Sequence, residues 1–437
     1  MKQLKVIISV LSLSMAILSN AQEIISLPNA INYALETKSD AKRADLAVKK
    51  AEYKINEAKA GALPQVSASA GLQYNILIQE MALTMGNETT VIKMGQPWNS
   101  NIGVNVYQAV FDQRVFTGLK AAKTTREFYQ INADLTDEQI IERVATAYYQ
   151  VFVQQDKLET IDKSYENTSR VKEVIKSLVD NGLAKPIDLD RINVQLNNIS
   201  TSRQQLINAI AISKNALKFY MGHPIQDEII LEHGELETSL VLLEDQVNVE
   251  NRTEFKVLNK QKELLGFAKD AEKAKLYPTV GITASYGIQG FGDKFITSNQ
   301  FYWSNLSSVG LSVNIPIFTG GQTKAQIAQA EVDLLDIEEQ ITDTKLSLDL
   351  EYQNAKAQIE NALKSVEIQK ENVGLAEKVL SNTQANYQQG LANLTEILDA
   401  ENALTDARNN HSQALLDYKI AEVALIKAKG ELKTLLQ

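Results

Sequence analysis

The sequence predicts an α+β membrane protein built as two copies of one plan, with long coiled-coil helices and four transmembrane β-strands per chain. Three observations predict it. Landmarks recur at offsets of 207–214 residues, four segments alternate apolar and polar residues with period two, and a helical pattern runs for about 66 residues without proline.

Composition supports long helices. Of 437 residues, Gly is 20 and Pro is 7, about half the usual combined share of about 12%, so tight turns and extended linkers are scarce. Length alone suggests about three domains. Cys is 0, which excludes disulfides, thiolate metal sites, cysteine nucleophiles and lipid anchors on cysteine; His is only 3. Lys plus Arg is 44 against 54 Asp plus Glu, a net charge of −10. Such a chain offers no phosphate-binding surface, so a nucleic-acid partner is not expected.

Residues 1–21 read as a signal peptide. Lys2 and Lys5 precede an apolar run from Val6 to Leu18, and Ser19-Asn20-Ala21 supplies small residues at the cleavage positions. The run is shorter than the roughly 20 residues that span a bilayer, and no other stretch is apolar enough to span one as a helix. The mature chain, beginning at Gln22, is expected beyond the cytoplasm, either soluble or inserted through β-strands.

Residues 22–221 and 251–437 form the two copies, separated by 222–250, expected as a collar with Gly222, Pro224 and Gly234. Pro64 is matched by Pro278. Ile102-Gly103-Val104-Asn105-Val106 is matched by Val309-Gly310-Leu311-Ser312-Val313, Val110-Phe111 by Ile317-Phe318, and Gly182-Leu183-Ala184 by Gly390-Leu391-Ala392. Shared order at nearly one offset argues for duplication. Each copy reads as a helix, a β-hairpin (about 65–111 and 279–318), a very long helix, a glycine turn and a return helix.

The strands alternate clearly. Val66, Ala68, Ala70, Leu72, Tyr74, Ile76 and Ile78 alternate with Ser67, Ser69, Gly71, Gln73 and Asn75; Val280, Ile282, Ala284, Tyr286 and Ile288 alternate with Gly281, Thr283, Ser285, Gly287 and Gln289. The segments at 102–106 and 309–315 behave alike. One face therefore meets an apolar medium and the other water, at lengths near the 9–11 residues of transmembrane strands. A half-exposed soluble sheet gives the same alternation. Residues 79–98 and 290–303 read as links within each pair. Trp98, Phe301, Tyr302 and Trp303 lie at strand ends, where an interfacial aromatic girdle belongs.

The long helices are expected over about 114–181 and 323–388. At 1.5 Å per residue each is roughly 100 Å long. The second carries Ile341, Leu348, Tyr352, Ala355, Ile359, Ala362, Val366, Val373, Ala376 and Leu380 at spacings of mostly three and four, a heptad-like seam. The return helix at 186–221 carries Leu189, Ile192, Leu196, Ile199, Leu206, Ile210 and Leu217; that at about 394–432 carries Ile397, Ala400, Leu404, Ala407, His411, Ala414, Tyr418, Ala421, Leu425 and Ala428. His411 reads as a seam residue. Residues 28–62 and 251–276 are expected as single helices that complete the helical layer. Gly182 and Gly390 suit left-handed helix ends, Pro186 a first helical position, and Asn393 with Glu396 a capping box.

With these features in order, the chain resembles the TolC-like outer-membrane efflux factor family over nearly all of its mature length. The resemblance rests on the duplicated plan, the prolines before the strands, Val110-Phe111-Asp112, Ile317-Phe318-Thr319-Gly320-Gly321 and Tyr387-Gln388-Gln389-Gly390-Leu391-Ala392. It implies a homotrimer, a 12-stranded barrel in the outer membrane of a Gram-negative bacterium, and a coiled-coil helical barrel forming a periplasmic tunnel. It further implies a periplasmic adaptor and an inner-membrane pump as partners, docked at hairpin tips including Gly182, Leu183, Ala184, Gly390, Leu391 and Ala392. In the family a tyrosine, an arginine and two acidic residues constrict the tunnel; these positions fall on Tyr387, Ala392, Glu396 and Asp399. Ala392 departs from the family's arginine, so what the resemblance implies here is an acidic ring of Glu396 and Asp399 without an arginine-dependent lock. A physical argument supports an oligomer independently: four strands cannot close a barrel, and the smallest transmembrane barrels have about 8.

No catalytic signature is present. Gly287-Ile288-Gln289-Gly290-Phe291-Gly292 imitates a phosphate-binding loop but lies in a strand pattern with no following helix. The sequence therefore predicts a passive exit duct with no enzymatic activity and no cofactor. A periplasmic coiled-coil adaptor without a barrel is the competing expectation; a helical pore-forming toxin would need no duplicated hairpins.

Overall fold

The computed structural model describes residues 24–86, 88–232, 234, 236, 238 and 247–436. The expected signal peptide lies outside the described residues, as do 233, 235, 237 and 239–246 of the expected collar. The elements are β1 (Ile24–Ile25), α1 (Leu27–Thr37), α2 (Ser39–Ala60), β2 (Gln65–Tyr74), β3 (Glu80–Met85), β4 (Glu88–Lys93), β5 (Trp98–Phe111), α3 (Gln113–Asp180), α4 (Pro186–Met221), β6 (Ile230–Leu231), α5 (Thr253–Ala274), β7 (Thr279–Gly292), β8 (Phe301–Asn314), α6 (Gln322–Gln388) and α7 (Leu394–Lys429). The described residues fall into two compact units that draw on both halves of the chain: one from within 24–45, 131–256 and 342–436, the other from within 46–130 and 257–341.

The second of these units holds an antiparallel sheet in the order β2-β5-β7-β8. Its register lines up the alternating sets of all four strands. Ala68, Val104, Tyr286 and Ser307 share one row, and Val66, Val106, Ala284 and Val309 the next. Between them lie Ser67, Asn105, Ser285 and Ser308, which face the other way. One face is thus predominantly apolar and the other hydroxylic, amidic or glycyl, with the Ser285 and Ser308 hydroxyls 2.7 Å apart. The expected phosphate-loop look-alike is the C-terminal end of β7. Gly290 is required there by close approach: a Cβ would fall 2.2 Å from the Phe301 ring and 2.8 Å from Trp303. Helix segments of this unit are joined by ion pairs, Lys260 to Glu127 at 2.7 Å, Lys262 to Glu338 at 2.8 Å and Lys269 to Glu331 at 3.0 Å.

Several boundaries differ from expectation. β2 stops at Tyr74 because Asn75 turns the chain, its N–H donating to Pro97 O at 2.7 Å; Ile76 and Ile78 therefore leave the strand. β8 stops at Asn314, before Pro316, which has no N–H for a ladder, so Ile317-Phe318 follows the hairpin expected to end near 318. The 79–98 link contains its own ribbon, β3 paired with β4. The helix expected over 28–62 is broken at Lys38, whose backbone is extended. There Thr37 Oγ1 donates to Met221 O at 2.7 Å and Lys38 Nζ to Phe219 O at 2.7 Å. Contacts from 181–184 residues away hold the break open.

The other unit is helical. Ile141, Val144, Ala145 and Val151 of α3 pack with Ala30, Ile31 and Ala34 of α1 and with Leu217 and Met221 of α4. β1 and β6 pair in parallel beside this core. Tyr352, Ala355, Ile359, Ala362 and Val366 of α6 pack against Ala414, Tyr418, Ala421, Leu425 and Ala428 of α7. This is the predicted seam, with alanines bringing the helices close. His411 is half-buried on the same stripe, and burial pulls its pKa down.

Candidate functional site at the helical-hairpin tips

Both long helices end in the same way. Gly182 (φ 74°) and Gly390 (φ 73°) take the left-handed conformation. The Gly182 N–H donates to Val179 O at 2.9 Å and the Leu183 N–H to Leu178 O at 2.8 Å; Gly390 and Leu391 repeat this with Tyr387 O at 2.9 Å and Asn386 O at 2.8 Å. These bonds satisfy the last helical carbonyls and reverse the chain within a few residues. Leu183 and Leu391 stand at equivalent places, 75% and 72% exposed. Ala184 and Ala392 are both half-buried beside them.

The return helices begin differently. Pro186 opens α4 after Lys185, which gives no side-chain cap. Asn393 caps α7: its Oδ1 accepts the Glu396 N–H at 3.1 Å, and its Nδ2 donates to Glu396 Oε1 at 2.6 Å. Glu396 and Asp399 are both exposed, one helical turn apart.

Tyr387 is half-buried, not exposed with the two carboxylates. It packs with Leu394 and Leu398 of α7, Ile192 and Leu189 of α4, and Ile175 of α3. One small core therefore draws on four helices and joins both hairpins. Burial, with Asp188 nearby, raises the Tyr387 pKa, so its hydroxyl stays protonated.

Sequence reasoning missed the polar ties between the return helices. Arg191 Nη1 donates to Thr395 Oγ1 at 3.0 Å, and Gln195 Nε2 to Asn402 Oδ1 at 2.5 Å. These links span 204 and 207 residues, close to the repeat offset. A cation is thus present beside the α7 start, on α4 rather than at position 392. Deeper in, Glu401 is 5% exposed. It accepts from Asn167 Nδ2 at 3.4 Å, and burial raises its pKa despite that partner. A groove of about 830 Å³ between α3 and α6 is lined by Val171, Leu178, Leu380 and Tyr387, with Arg170, Glu377 and Arg408 among its charged residues. Among the described residues no cluster of His, Asp and Glu is placed to hold a metal ion.

At the sheet, the register separates the expected girdle residues. Trp98, Phe301 and Trp303 share the predominantly apolar face, where Trp98 lies 4.7 Å from Tyr74 and Phe301 lies 5.1 Å from Trp303, centroid to centroid. Tyr302 falls on the opposite face beside Phe291, at 5.4 Å, because neighbours along a strand alternate.

Comparison with known proteins agrees with this geometry. The family model described as "Outer membrane efflux protein" matches residues 30–223 and 250–431. The outer membrane protein TolC of Escherichia coli (strain K12) is 24% identical over 403 residues, covering 87% of this chain and 77% of TolC. The alkaline protease secretion protein AprF of Pseudomonas aeruginosa is 28% identical over 156 residues, covering 35% of this chain and 31% of AprF. The crystal structure of the outer membrane protein VceC of Vibrio cholerae superposes with a TM-score of 0.71 at 19% identity, covering 92% of this chain and 96% of VceC.

Proposed function

Because the chain belongs to the outer membrane efflux protein family, we propose that three copies close its four-stranded sheets into one 12-stranded barrel through which cargo leaves the cell. The protein is an outer-membrane exit duct of efflux or secretion systems, and it works as an oligomeric channel with partner proteins. The observation that carries the trimeric reading is the sheet: one predominantly apolar face, one hydrophilic face, and unpaired outer edges on β2 and β8 among the described residues. An open edge in lipid costs several kcal/mol per unpaired backbone group. Two chains would give eight strands, whose interior side chains fill; three give a water-filled bore lined by Ser67, Asn105, Ser285 and Ser308. Duplication of one ancestral unit accounts for the matching halves.

The tips serve two roles in this reading. Exposed Leu183 and Leu391, each on a rigid glycine turn, supply the docking contacts for a periplasmic adaptor that links the duct to an inner-membrane pump. Glu396 and Asp399 of three chains form an acidic ring that attracts cations and repels anions. Tyr387 supports that ring from below by packing, and Arg191 takes the cationic position that Ala392 leaves vacant. The chain supplies walls and a gate, with no catalytic group or cofactor.

Site-directed crosslinking tests the docking role. The natural chain has no cysteine, so Leu183→Cys and Leu391→Cys each carry one thiol. A bifunctional maleimide–amine reagent is expected to capture a periplasmic protein from both variants and far less from Thr201→Cys on the exposed flank of α4. Equal capture from all three would remove the tips as the docking site.

A further inference from the structure

We infer that the β3–β4 ribbon is an interface between copies of this chain, three ribbons meeting through one predominantly apolar face over the outer mouth of the barrel. The inference rests on the three-chain closure proposed above and adds a contact that closure alone does not require.

The ribbon pairs Glu80 with Lys93, Met81 with Ile92, Ala82 with Val91, Leu83 with Thr90, Thr84 with Thr89 and Met85 with Glu88. Directly opposed residues of an antiparallel pair share a face. Met81, Ile92, Leu83 and Met85 therefore lie on one side with Thr90 and Glu88; Glu80, Lys93, Thr84 and Thr89 lie on the other with Ala82 and Val91, and there the two threonine hydroxyls are 3.2 Å apart. Every residue of both strands is exposed, Met85 by 82%. Ile76 and Leu77, which lead into the ribbon, are 85% and 89% exposed. An isolated two-stranded ribbon is at best marginally stable in water and gains stability by packing an apolar face, so this one needs a cover.

Its place in the chain argues for copies of itself as that cover. The ribbon joins β2 to β5, and β2 is an edge of the sheet, so the ribbon stands beside the edge that a neighbouring copy must pair. It leaves the sheet at the Tyr74 and Trp98 end, away from the end where β5 continues into α3. Reach agrees as well. Twelve strands about 4.8 Å apart and tilted about 40° enclose a radius of about 12 Å. Strands of six residues extend about 20 Å at 3.4 Å per residue. Each ribbon is thus long enough to reach the threefold axis and overlap its two copies there. Glu88, opposite Met85 beside the turn, is the one charged residue of this face, while Glu80 and Lys93 oppose each other on the far face.

The chain's lack of cysteine makes the test direct. Met85→Cys, and independently Met81→Cys, is oxidised with copper phenanthroline in intact cells. Disulfide-linked dimers approaching two thirds of the chains are expected, since the third thiol on a threefold axis has no partner. Thr84→Cys, on the other face, is expected to stay monomeric and to react with a membrane-impermeant maleimide. Met81→Cys and Met85→Cys that remain unlinked within a complex of trimeric native mass would overturn the inference while leaving the duct intact. Free maleimide labelling would then mark the face as open to the medium, and protection would mark it as covered by lipid or another protein. A monomeric natural chain in the extracted membrane would instead overturn the three-chain reading itself.

Discussion

Asn393 and Glu396 hold each other at the start of the second return helix, one amide accepting the Glu396 N–H at 3.1 Å and donating to its carboxylate at 2.6 Å. The same carboxylate is a member of the proposed acidic ring, so capping and ion attraction meet in one residue. Two substitutions separate them. Asn393→Ala removes the cap and is expected to cost about 1 kcal/mol, read as faster tip proteolysis. Glu396→Gln combined with Asp399→Asn keeps hydrogen-bonding capacity but removes the charge. Cation selectivity and block by multivalent cations in planar bilayers are expected to fall, with stability little changed. Unaltered selectivity would leave Glu396 a capping residue alone.

Glu401 gives the helical unit a pH dependence. Its carboxyl is buried beside Asn167, and burial raises its pKa. The folded protein therefore holds this proton more tightly than the unfolded chain. The associated stability is fully present below the unfolded carboxyl value of about 4.3 and is lost as pH rises through the folded value. Glu401→Gln is expected to raise the melting temperature at pH 7, and the gain should vanish near pH 4. Melting curves of both proteins across that range check the sign.

Arg252 is among the largest fully buried side chains of the described residues, 1% exposed. It donates to Glu254 at 2.8 Å, Glu351 at 3.0 Å and Ala428 O at 3.2 Å, while Lys427 reaches Glu351 at 3.5 Å. Burial works against the Arg252 charge, and the two glutamates outweigh it, so its pKa is raised. Arg252→Met removes the cation that binds Glu254 and leaves Glu351 with Lys427 alone; with both carboxylates partly exposed, it is expected to cost about 1–3 kcal/mol. Adding Glu254→Gln and Glu351→Gln should recover much of that loss in thermal unfolding.

Ala421 is buried in the α6–α7 seam beside Tyr352 and Tyr418. Ala421→Leu adds volume where alanine sets the spacing and is expected to cost about 1–3 kcal/mol. Ala407→Leu, on a half-buried position of the same stripe, should cost less. Thermal melts of the two variants rank them.

Period and spacing made most of the fold legible. Pro186–Met221 coincides with its expected bounds, and both long helices fall within one residue of theirs at each end, because helix starts and glycine turns are locally encoded. The seam of Tyr352, Ala355, Ile359 and Ala362 was readable because heptads report burial directly. The ribbon left a local signal in two six-residue runs joined by Gly86-Asn87, hidden by the expectation of a plain link. The break at Lys38 had no comparable signal, since Met221 and Phe219 hold it from far along the chain. At the tips, the cap at Asn393 was legible, but the Arg191–Thr395 tie and the burial of Tyr387 among four helices depend on which hairpins meet. Tyr302 shows the limit of composition: its position near a strand end suggested the girdle, while its parity placed it on the hydrophilic face.

The central claim is that the sheet is completed by two further copies in the outer membrane. Native mass spectrometry of the protein extracted by mild detergent from carbonate-washed outer membranes tests it most directly. Three chains per complex, with none released by the carbonate wash, is the predicted result. A single chain, or complete release by carbonate, would contradict it.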